Sequence, residues 1–190
     1  STGILERESL PNHLVVVGGG VIGCEFACMH ASVGVPVTVL EAMPEICPNL
    51  DAEVSASLRE GLTKKGVTFK LGAKVESISA DKVTYSDESG SNELKADLVL
   101  VATGRRPNTK NLGLEELGLD IVNRGGVRVD ARGATNIPGL WAAGDVTGQA
   151  WLAHAASRMA EVVVNNITGR KDHMRYDSMP AVVYTSPEVA

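Results

Sequence analysis

LVVVGGGVIGCEFACMHASVGVPVTVLE, residues 14–41, has the order of a buried strand, a glycine-rich turn, a helix and a second strand that ends on an acid. The glycines follow the G-x-G-x-x-G spacing of a dinucleotide-binding βαβ unit. Gly18 permits the tight turn, Gly20 lets the backbone approach a pyrophosphate, and Gly23 allows the helix to pack closely on the strand. The helix N-terminus offers its free N–H groups to the phosphates.

The acid at the end of this unit indicates which dinucleotide it suits. Glu41 follows the turn by about 20 residues, where a carboxylate accepts a hydrogen bond from the adenosine ribose 2′-hydroxyl. A glycine turn alone also occurs as a purely structural feature, but the strands predicted over 14–17 and 35–40 supply the context that the motif requires. Residues 42–49 contain no Lys or Arg, and Glu41 would repel a 2′-phosphate, so the sequence favours NAD over NADP.

The composition is that of an ordinary globular chain. Its 190 residues are 44% hydrophobic, enough for one large or two small domains. A formal net charge of −5, with no long run among the 18 basic residues, argues against a nucleic-acid surface. No stretch is apolar enough to predict a membrane span. Because the chain opens without Met or a signal peptide, we expect it to be an internal piece of a longer polypeptide.

The cysteines and histidines predict neither a disulfide scaffold nor a metal site. Three cysteines, Cys24, Cys28 and Cys47, are too few for a scaffold and fit a reducing compartment. Cys24 and Cys28 share one helix face, which allows a redox pair, but the helix packs on the sheet and the pair is better explained as two small core residues. The four histidines have no second ligand at metal-binding spacing.

The rest of the first half continues as helix and strands. A helix is predicted over 51–65, with Asn49 or Asp51 as N-cap and Gly66 beyond its end. A fully buried strand over 97–102 returns to the parallel sheet. A small antiparallel meander on that sheet is predicted from four β-rich segments, 67–71, 73–79, 82–86 and 93–95.

The second half changes character. Residues 112–130 contain little helix and two short strands, and 134–148 read as a loop, a buried strand and a sharp Gly-Asp turn. A helix is predicted over 152–167. The tail opens a new strand over 181–185 that has no hairpin partner in the chain. The helix carries four apolar residues on one side, Met159, Val162, Val163 and Ile167.

Five segments occur in an order and spacing that resemble one family: GGGVIGCEFA, VATGRRPN, ATNIPGLWAAGD, LAH and PAVVYTSPEVA. They resemble the flavin-dependent pyridine nucleotide disulfide oxidoreductases over nearly the whole chain. The resemblance is greatest to the members that oxidise a protein-bound dihydrolipoyl group, although glutathione, mercuric and trypanothione reductases share most of these segments. It implies an α/β fold with a Rossmann-like NAD-binding domain over 1–112, a parallel sheet plus a small antiparallel meander. The returning half of an FAD-binding α/β domain would follow over 113–174, and the start of a dimerisation domain over 175–190.

The resemblance implies two cofactors, NAD and FAD. Glu41 would bind the adenosine ribose, Glu25 would lie near the nicotinamide, and Asp145 would accept a hydrogen bond from the flavin's sugar-like chain. The helix start at 151–154 would turn its N–H groups toward the flavin ring and favour negative charge on reduced flavin. The implied NAD-site residues are Gly18, Gly19, Gly20, Val21, Ile22, Gly23, Glu25, Glu41, Val75 at the adenine and Gly104 at the nicotinamide end. The implied FAD-site residues are Asp145, Trp151, Leu152, Ala153 and His154.

Three of these residues have simpler explanations. Glu25 suits a solvated or capping acid, because a carboxylate in a first helical turn is favourable. Asp145 after a glycine is usual turn chemistry. His154 is not the family's catalytic histidine, and its imidazole is given only an orienting or packing role.

The departures from the family matter most for activity. The chain has no Cys-x-x-x-x-Cys dithiol, no glycine-rich turn for the FAD adenosine and no His-Glu acid–base pair. We therefore predict no catalytic residue and an inactive fragment. The whole protein would be a homodimer acting on a lipoyl group of a 2-oxoacid dehydrogenase or glycine cleavage complex, in the cytoplasm or mitochondrial matrix, without nucleic acid or membrane partners. The alternatives are another flavin disulfide reductase and a non-catalytic nucleotide-binding or interaction module.

Overall fold

A computed structural model describes residues 2–190. They form two compact units, one containing the residues up to Gly104 together with Val182–Ala190, and the other spanning Arg105–Ala181. The domain boundaries predicted after 112 and 174 refer to domains of a longer protein and stay a prediction. No helix among the described residues is both long and apolar enough to cross a bilayer.

The first unit alternates strands and helices as the βαβ pattern predicts. Its helices are α1 (Thr2–Leu5), α2 (Val21–Ser32) and α3 (Ala52–Lys64). Its strands are β1 (Leu14–Val17), β2 (Val37–Glu41), β3 (Val67–Leu71), β4 (Lys74–Ile78), β5 (Lys82–Asp87), β6 (Gly90–Lys95) and β7 (Leu98–Val101).

Four of the strands form a parallel sheet in the order β3-β2-β1-β7. Val17 is in register with Leu40 on one side and Val101 on the other, so the carboxyl ends of three strands meet at one edge. In open α/β sheets this edge carries the ligand crevice. The fold class predicted from the sequence is confirmed.

The central strand β1 is apolar throughout because both faces of the sheet are covered. Leu14 and Val16 pack into a core that includes Cys24 and Ala27 of α2. Val15 faces the opposite side, in a cluster that lies against the β4–β6 sheet. These layers fix the position of the turn that follows β1.

Two predictions for the strands were wrong. β3 belongs to the parallel sheet, where it pairs with β2, and only β4, β5 and β6 form the meander. Its alternating burial is that of a half-covered edge strand, which in sequence looks like an antiparallel one. β7 is not fully buried, since it is the other edge and Val101 is 56% exposed.

The second unit has one long helix, α4 (Ala153–Ile167), and three short 3₁₀ segments, Asn123–Gly125, Gly144–Thr147 and Tyr176–Ser178. The strands predicted in this half are wrong, because the described residues 105–181 pair only through isolated bridges, Ile121 with Val127 and Ala134 with Trp141. Of the four apolar residues on one side of α4, Met159 and Val162 are buried, whereas Ile167 is 59% exposed.

The C-terminal segment packs on the first unit. Val183 is 1% exposed and belongs to the core that contains β1 and α2. The strand predicted over 181–185 is wrong, since Val183 forms only an isolated bridge with Val189. A single bridge forms because the segment doubles back on itself instead of joining a sheet.

Candidate nucleotide-binding site

Two glycines of the turn between β1 and α2 are required by close packing. Gly18 has φ +105°, and a Cβ there would lie 2.6 Å from the carbonyl oxygen of Ala102. A Cβ on Gly23 would overlap the carbonyl oxygen of Gly18. A side chain at Gly18 would therefore push the turn away from the end of β7, and one at Gly23 would push the helix off the strand.

Gly20 is different, because the space beside it is open. It is the N-cap of α2, and a Cβ there would meet no protein atom within 4 Å. The first helical hydrogen bond runs from the N–H of Cys24 to the carbonyl of Gly20, at 2.9 Å. The N–H groups of Val21, Ile22 and Gly23 thus precede it and have no acceptor within residues 2–190. The open space beside Gly20 forms a cradle next to these free donors. Free N–H groups at the N-terminus of a 12-residue helix are suited to bind a pyrophosphate.

Glu41, the last residue of β2, is held against this turn. Its Oε2 accepts the backbone N–H of Gly19 at 2.5 Å, and its Oε1 accepts the N–H of Met43 at 2.7 Å. Each carboxylate oxygen has a second lone pair, so these bonds leave capacity to accept ribose hydroxyls. The acid therefore fixes the turn and still has the free acceptor lone pairs that a ribose site requires.

The loop that follows Glu41 is anchored to α3. The Arg59 guanidinium donates to Oε1 of Glu45 at 2.8 Å and to Oε2 at 3.0 Å. These hydrogen bonds lower the pKa of Glu45 below its usual range. The bidentate pair holds the loop in one position beside the glycine turn.

Two cysteines lie beneath the turn. The Sγ atoms of Cys24 and Cys47 are 3.9 Å apart and lie 3.3 and 3.6 Å from the carbonyl oxygen of Gly19. Their shared hydrogen bond and burial raise the pKa of the Cys24 thiol, while the same hydrogen bond lowers the pKa of Cys47. Cys24 and Cys28 are both buried in the core, as predicted. The contact with Cys47 was missed, because 23 positions separate the two residues in sequence.

The remaining residues predicted for the NAD site occupy distinct positions. Gly104 has φ +114° and lies just past β7, at the same sheet edge as the turn. Val75, on β4, is partly buried and packs against the cluster around Val15. Glu25, on α2, accepts the N–H of Tyr184 at 2.9 Å, a long-range contact that no local pattern signals.

In the second unit, the predicted FAD-site residues lie at two helix starts. Asp145 is in the first turn of the Gly144–Thr147 segment, with Arg105 3.8 Å away in an exposed ion pair of little energetic weight. Leu152 is the N-cap of α4, without a side-chain cap, and Ala156 makes the first helical hydrogen bond.

Among the described residues, the N–H groups of Ala153, His154 and Ala155 are therefore the free donors of this helix start. The His154 Nε2 donates to the carbonyl of Pro180 at 2.8 Å, which anchors the start of α4. Trp151 precedes the helix and is partly exposed. Across residues 2–190, no three His, Cys, Asp or Glu side chains are grouped as metal ligands would be.

A sequence model described as pyridine nucleotide-disulphide oxidoreductase matches residues 1–160. The chain belongs to this family. Among curated relatives, the dihydrolipoyl dehydrogenase of Chlamydia muridarum is 40% identical over 192 residues, covering 100% of the chain and 41% of the relative. Dihydrolipoyl dehydrogenase 3 of Pseudomonas putida is 42% identical over 196 residues, covering 100% and 42%. The chain thus spans about two fifths of the length of the relatives it matches.

A solved structure agrees with the family assignment. The Cu(II) complex of the HOCl-induced flavoprotein disulfide reductase RclA from Escherichia coli superposes with a TM-score of 0.88 at 34% identity, covering 98% of this chain and 43% of that one. FAD and NAD(H) are the cofactors of the family, as the words flavoprotein and pyridine nucleotide in these names indicate. The resemblance inferred from the five sequence segments is confirmed.

Proposed function

We propose that this chain supplies the NAD site and half of the FAD site of a dihydrolipoyl dehydrogenase. The whole protein would oxidise protein-bound dihydrolipoyl groups and pass two electrons through FAD to NAD⁺. The observation that carries the proposal is the turn between β1 and α2, where Glu41 is bound to the N–H of Gly19 and an open cradle lies beside Gly20. The 40–42% identity to dihydrolipoyl dehydrogenases over the whole chain supports the choice of family member.

NAD would bind along the edge where β1, β2 and β7 end. Its pyrophosphate would lie on the free N–H groups of α2, with Gly18, Gly19 and Gly20 as the cradle. Glu41 would accept the adenosine ribose hydroxyls, and the adjoining 42–49 loop carries no cation for a 2′-phosphate. Val75 would line the adenine, and Glu25 and Gly104 would lie toward the nicotinamide.

The second unit would hold part of FAD. Bound FAD would supply the two-electron carrier between a dithiol and the nicotinamide. Asp145 would accept a hydrogen bond from the sugar-like chain, and the N–H groups of residues 151–154 would face the ring. A helix N-terminus stabilises negative charge, so α4 would favour the reduced, anionic form. His154, bound to Pro180, would hold this helix start in place rather than take part in catalysis.

We propose residues 1–112 as the NAD-binding domain, 113–174 as the returning half of the FAD domain and 175–190 as the start of a dimerisation domain of a homodimer. The partner would be the lipoyl group of a 2-oxoacid dehydrogenase or glycine cleavage complex. All three cysteines are free thiols, which fits the cytoplasm or the mitochondrial matrix.

Calorimetric titration of the chain with NAD⁺, NADP⁺ and FAD, alongside Glu41→Ala, tests the proposal. We expect saturable NAD⁺ binding that Glu41→Ala weakens, and no measurable NADP⁺ binding. A folded chain that binds neither nucleotide would contradict the assignment of the turn. Because the chain lacks the dithiol, we also expect no lipoamide-dependent NADH oxidation, and a measurable rate would refute the predicted absence of catalytic residues.

A second candidate is another flavin disulfide reductase, in which electrons would pass from the reduced nucleotide to an acceptor. The TM-score of 0.88 to the E. coli flavoprotein disulfide reductase supports this second candidate. The two candidates differ in the substrate of the full-length protein. NAD⁺-dependent oxidation of dihydrolipoamide supports the first, and nucleotide-dependent reduction of another disulfide with no dihydrolipoamide turnover supports the second.

A further inference from the structure

Cys24 and Cys47 form a buried thiol pair that the proposed function does not use. Their sulfurs are 3.9 Å apart, and the two residues are 0% and 3% exposed. Both thiols are hydrogen-bonding neighbours of one atom, the carbonyl oxygen of Gly19. The N–H of that same glycine is held by Glu41. The pair therefore contacts the peptide group on which the nucleotide-binding turn depends.

The backbones on both sides of the pair are anchored. Cys24 lies in the first turn of α2, and its N–H donates to Gly20. The N–H of Cys47 donates to the Gly19 carbonyl at 3.0 Å, and the Cys47 carbonyl accepts the Ser55 hydroxyl at 3.1 Å. A disulfide has an S–S bond of about 2.05 Å, so the sulfurs would have to approach by about 2 Å. Both side chains are closely packed, with 0% and 3% exposed, and have little room to rotate, so we expect the approach to shift the turn or the 42–49 loop.

We propose that Cys24 and Cys47 are an oxidisable dithiol whose intramolecular disulfide weakens NAD binding at the adjacent turn. The effect on NAD rests on the proposed function, whereas formation of the disulfide does not. The oxidant is a hydroperoxide, represented here by hydrogen peroxide, and a small dithiol reverses the reaction.

The two steps balance with one peroxide. The Cys47 sulfur attacks one peroxide oxygen, the O–O bond breaks, and a sulfenic acid and one water form. The Cys24 sulfur then attacks the sulfenic sulfur, the S–O bond breaks, and the leaving hydroxide takes the Cys24 proton as a second water. Two thiols and one peroxide thus give one disulfide and two waters. The lowered pKa of Cys47 supports its role as the attacking thiol.

The disulfide would change the turn in two ways. It removes the S–H of Cys24 as a donor to the Gly19 carbonyl, and it pulls the 42–49 loop toward α2. The loop includes Met43, whose N–H shares the Glu41 carboxylate with Gly19. Moving it would disturb the charged hydrogen bonds that fix the turn. We expect NAD⁺ affinity to fall roughly tenfold, the effect of losing one hydrogen bond to a charged group.

Hydrogen peroxide treatment of the 190-residue chain, followed by alkylation in denaturant and peptide mass spectrometry, tests the chemistry. We expect the free thiols to fall from three to one per chain, with a Cys24–Cys47 cross-linked peptide. Cys28→Ala is the matched control, because Cys28 is a buried thiol on the same helix, and it should still cross-link. Cys24→Ala and Cys47→Ala should not. A cross-link to Cys28, or sulfinic acid without any cross-link, would overturn the proposal.

NAD⁺ titration of the reduced, oxidised and dithiol-treated chain tests the consequence. We expect weaker binding only in the oxidised chain, with recovery after the dithiol. A disulfide that forms without changing the affinity would overturn the switch. If the reduced chain binds no NAD⁺ while the cross-link forms, the proposed nucleotide function fails and the dithiol assignment stands.

Discussion

The carboxylate of Glu41 accepts the backbone N–H of Gly19 at 2.5 Å, so the acid at the end of β2 directly holds the glycine turn that follows β1. Glu41→Ala would leave this N–H and that of Met43 without their acceptor. We expect a loss of about 1–3 kcal/mol in the free energy of unfolding, since each donor loses a hydrogen bond to a charged group. NAD⁺ affinity should fall as well, and chemical denaturation and calorimetric titration measure the two effects.

Glu76→Ala serves as the control for this substitution, because Glu76 is an exposed acid on β4. It should change neither stability nor affinity. If Glu41→Ala and Glu76→Ala behaved alike, Glu41 would not be holding the turn.

The glycines of the turn should separate folding from binding. Gly20→Ala places a methyl group in open space, so the chain should fold with a cost of less than about 1 kcal/mol. The same methyl group fills the cradle, so NAD⁺ binding should be lost. Gly23→Ala should instead lower the melting temperature, because its Cβ overlaps the Gly18 carbonyl. Thermal melts and titrations of the two variants check this, and equal melting temperatures would contradict it.

The first unit could be predicted from sequence because its signals are local. An apolar run marks β1 as a buried strand. The backbone geometry of the turn requires glycine at fixed positions, and a ribose site requires an acid such as Glu41 at the end of the next strand. The predicted helix over 51–65 lies within one residue of α3 at either end for the same reason, since periodicity and flanking residues define it.

What could not be predicted depends on partners distant in sequence. β3 alternates like an antiparallel strand, and only its pairing with β2 places it in the parallel sheet. The contact of Cys24 with Cys47, and that of Glu25 with Tyr184, join positions far apart in the chain. In the second unit, apolar runs such as the one ending at Ala143 resemble strands. The described residues of this unit, however, pair only through isolated bridges.

The hydrogen bond from the Tyr184 N–H to Glu25 should control exchange of that amide. Tyr184 is exposed, so Glu25 is the group that protects its N–H. Glu25→Ala removes the acceptor, and the amide should exchange roughly tenfold faster. Glu25→Gln keeps a carbonyl oxygen at this position and is the matched control, which should retain most of the protection. Hydrogen exchange read by NMR measures both, and an unchanged rate in Glu25→Ala would contradict the role of this contact.

Asp172 should make the stability of the second unit depend on pH. The Arg158 guanidinium donates to it at 2.6 Å and the Asn165 amide at 2.8 Å, and these bonds lower its pKa from an ordinary 3.8 to about 2. A lowered carboxyl pKa contributes stability that is fully present above the ordinary value and is lost as pH falls through the folded value. The wild-type chain should therefore exceed Asp172→Asn in stability at about pH 6, and the difference should shrink toward about pH 2.

Denaturation of both chains across this pH range measures the difference. Asp177→Asn changes an exposed acid in the same unit and is the control, for which no such difference is expected. A stability difference between wild type and Asp172→Asn that stayed constant with pH would show that the ion pair does not contribute through ionisation of Asp172.

Helix α4 presents an apolar patch that should make the chain associate in solution. Val164 and Ile167 are each more than half exposed and lie three residues apart, on one face of the helix. Contiguous exposed apolar surface favours association. The double substitution Val164→Lys with Ile167→Lys should weaken self-association at least roughly tenfold, because each buried aliphatic side chain contributes about 1.5–3 kcal/mol. Val33→Lys, a similarly exposed valine in the other unit, is the control and should leave association unchanged. Sedimentation velocity over a wide range of concentrations measures the association. A wild-type chain that stays monomeric throughout would contradict the prediction that this patch causes self-association.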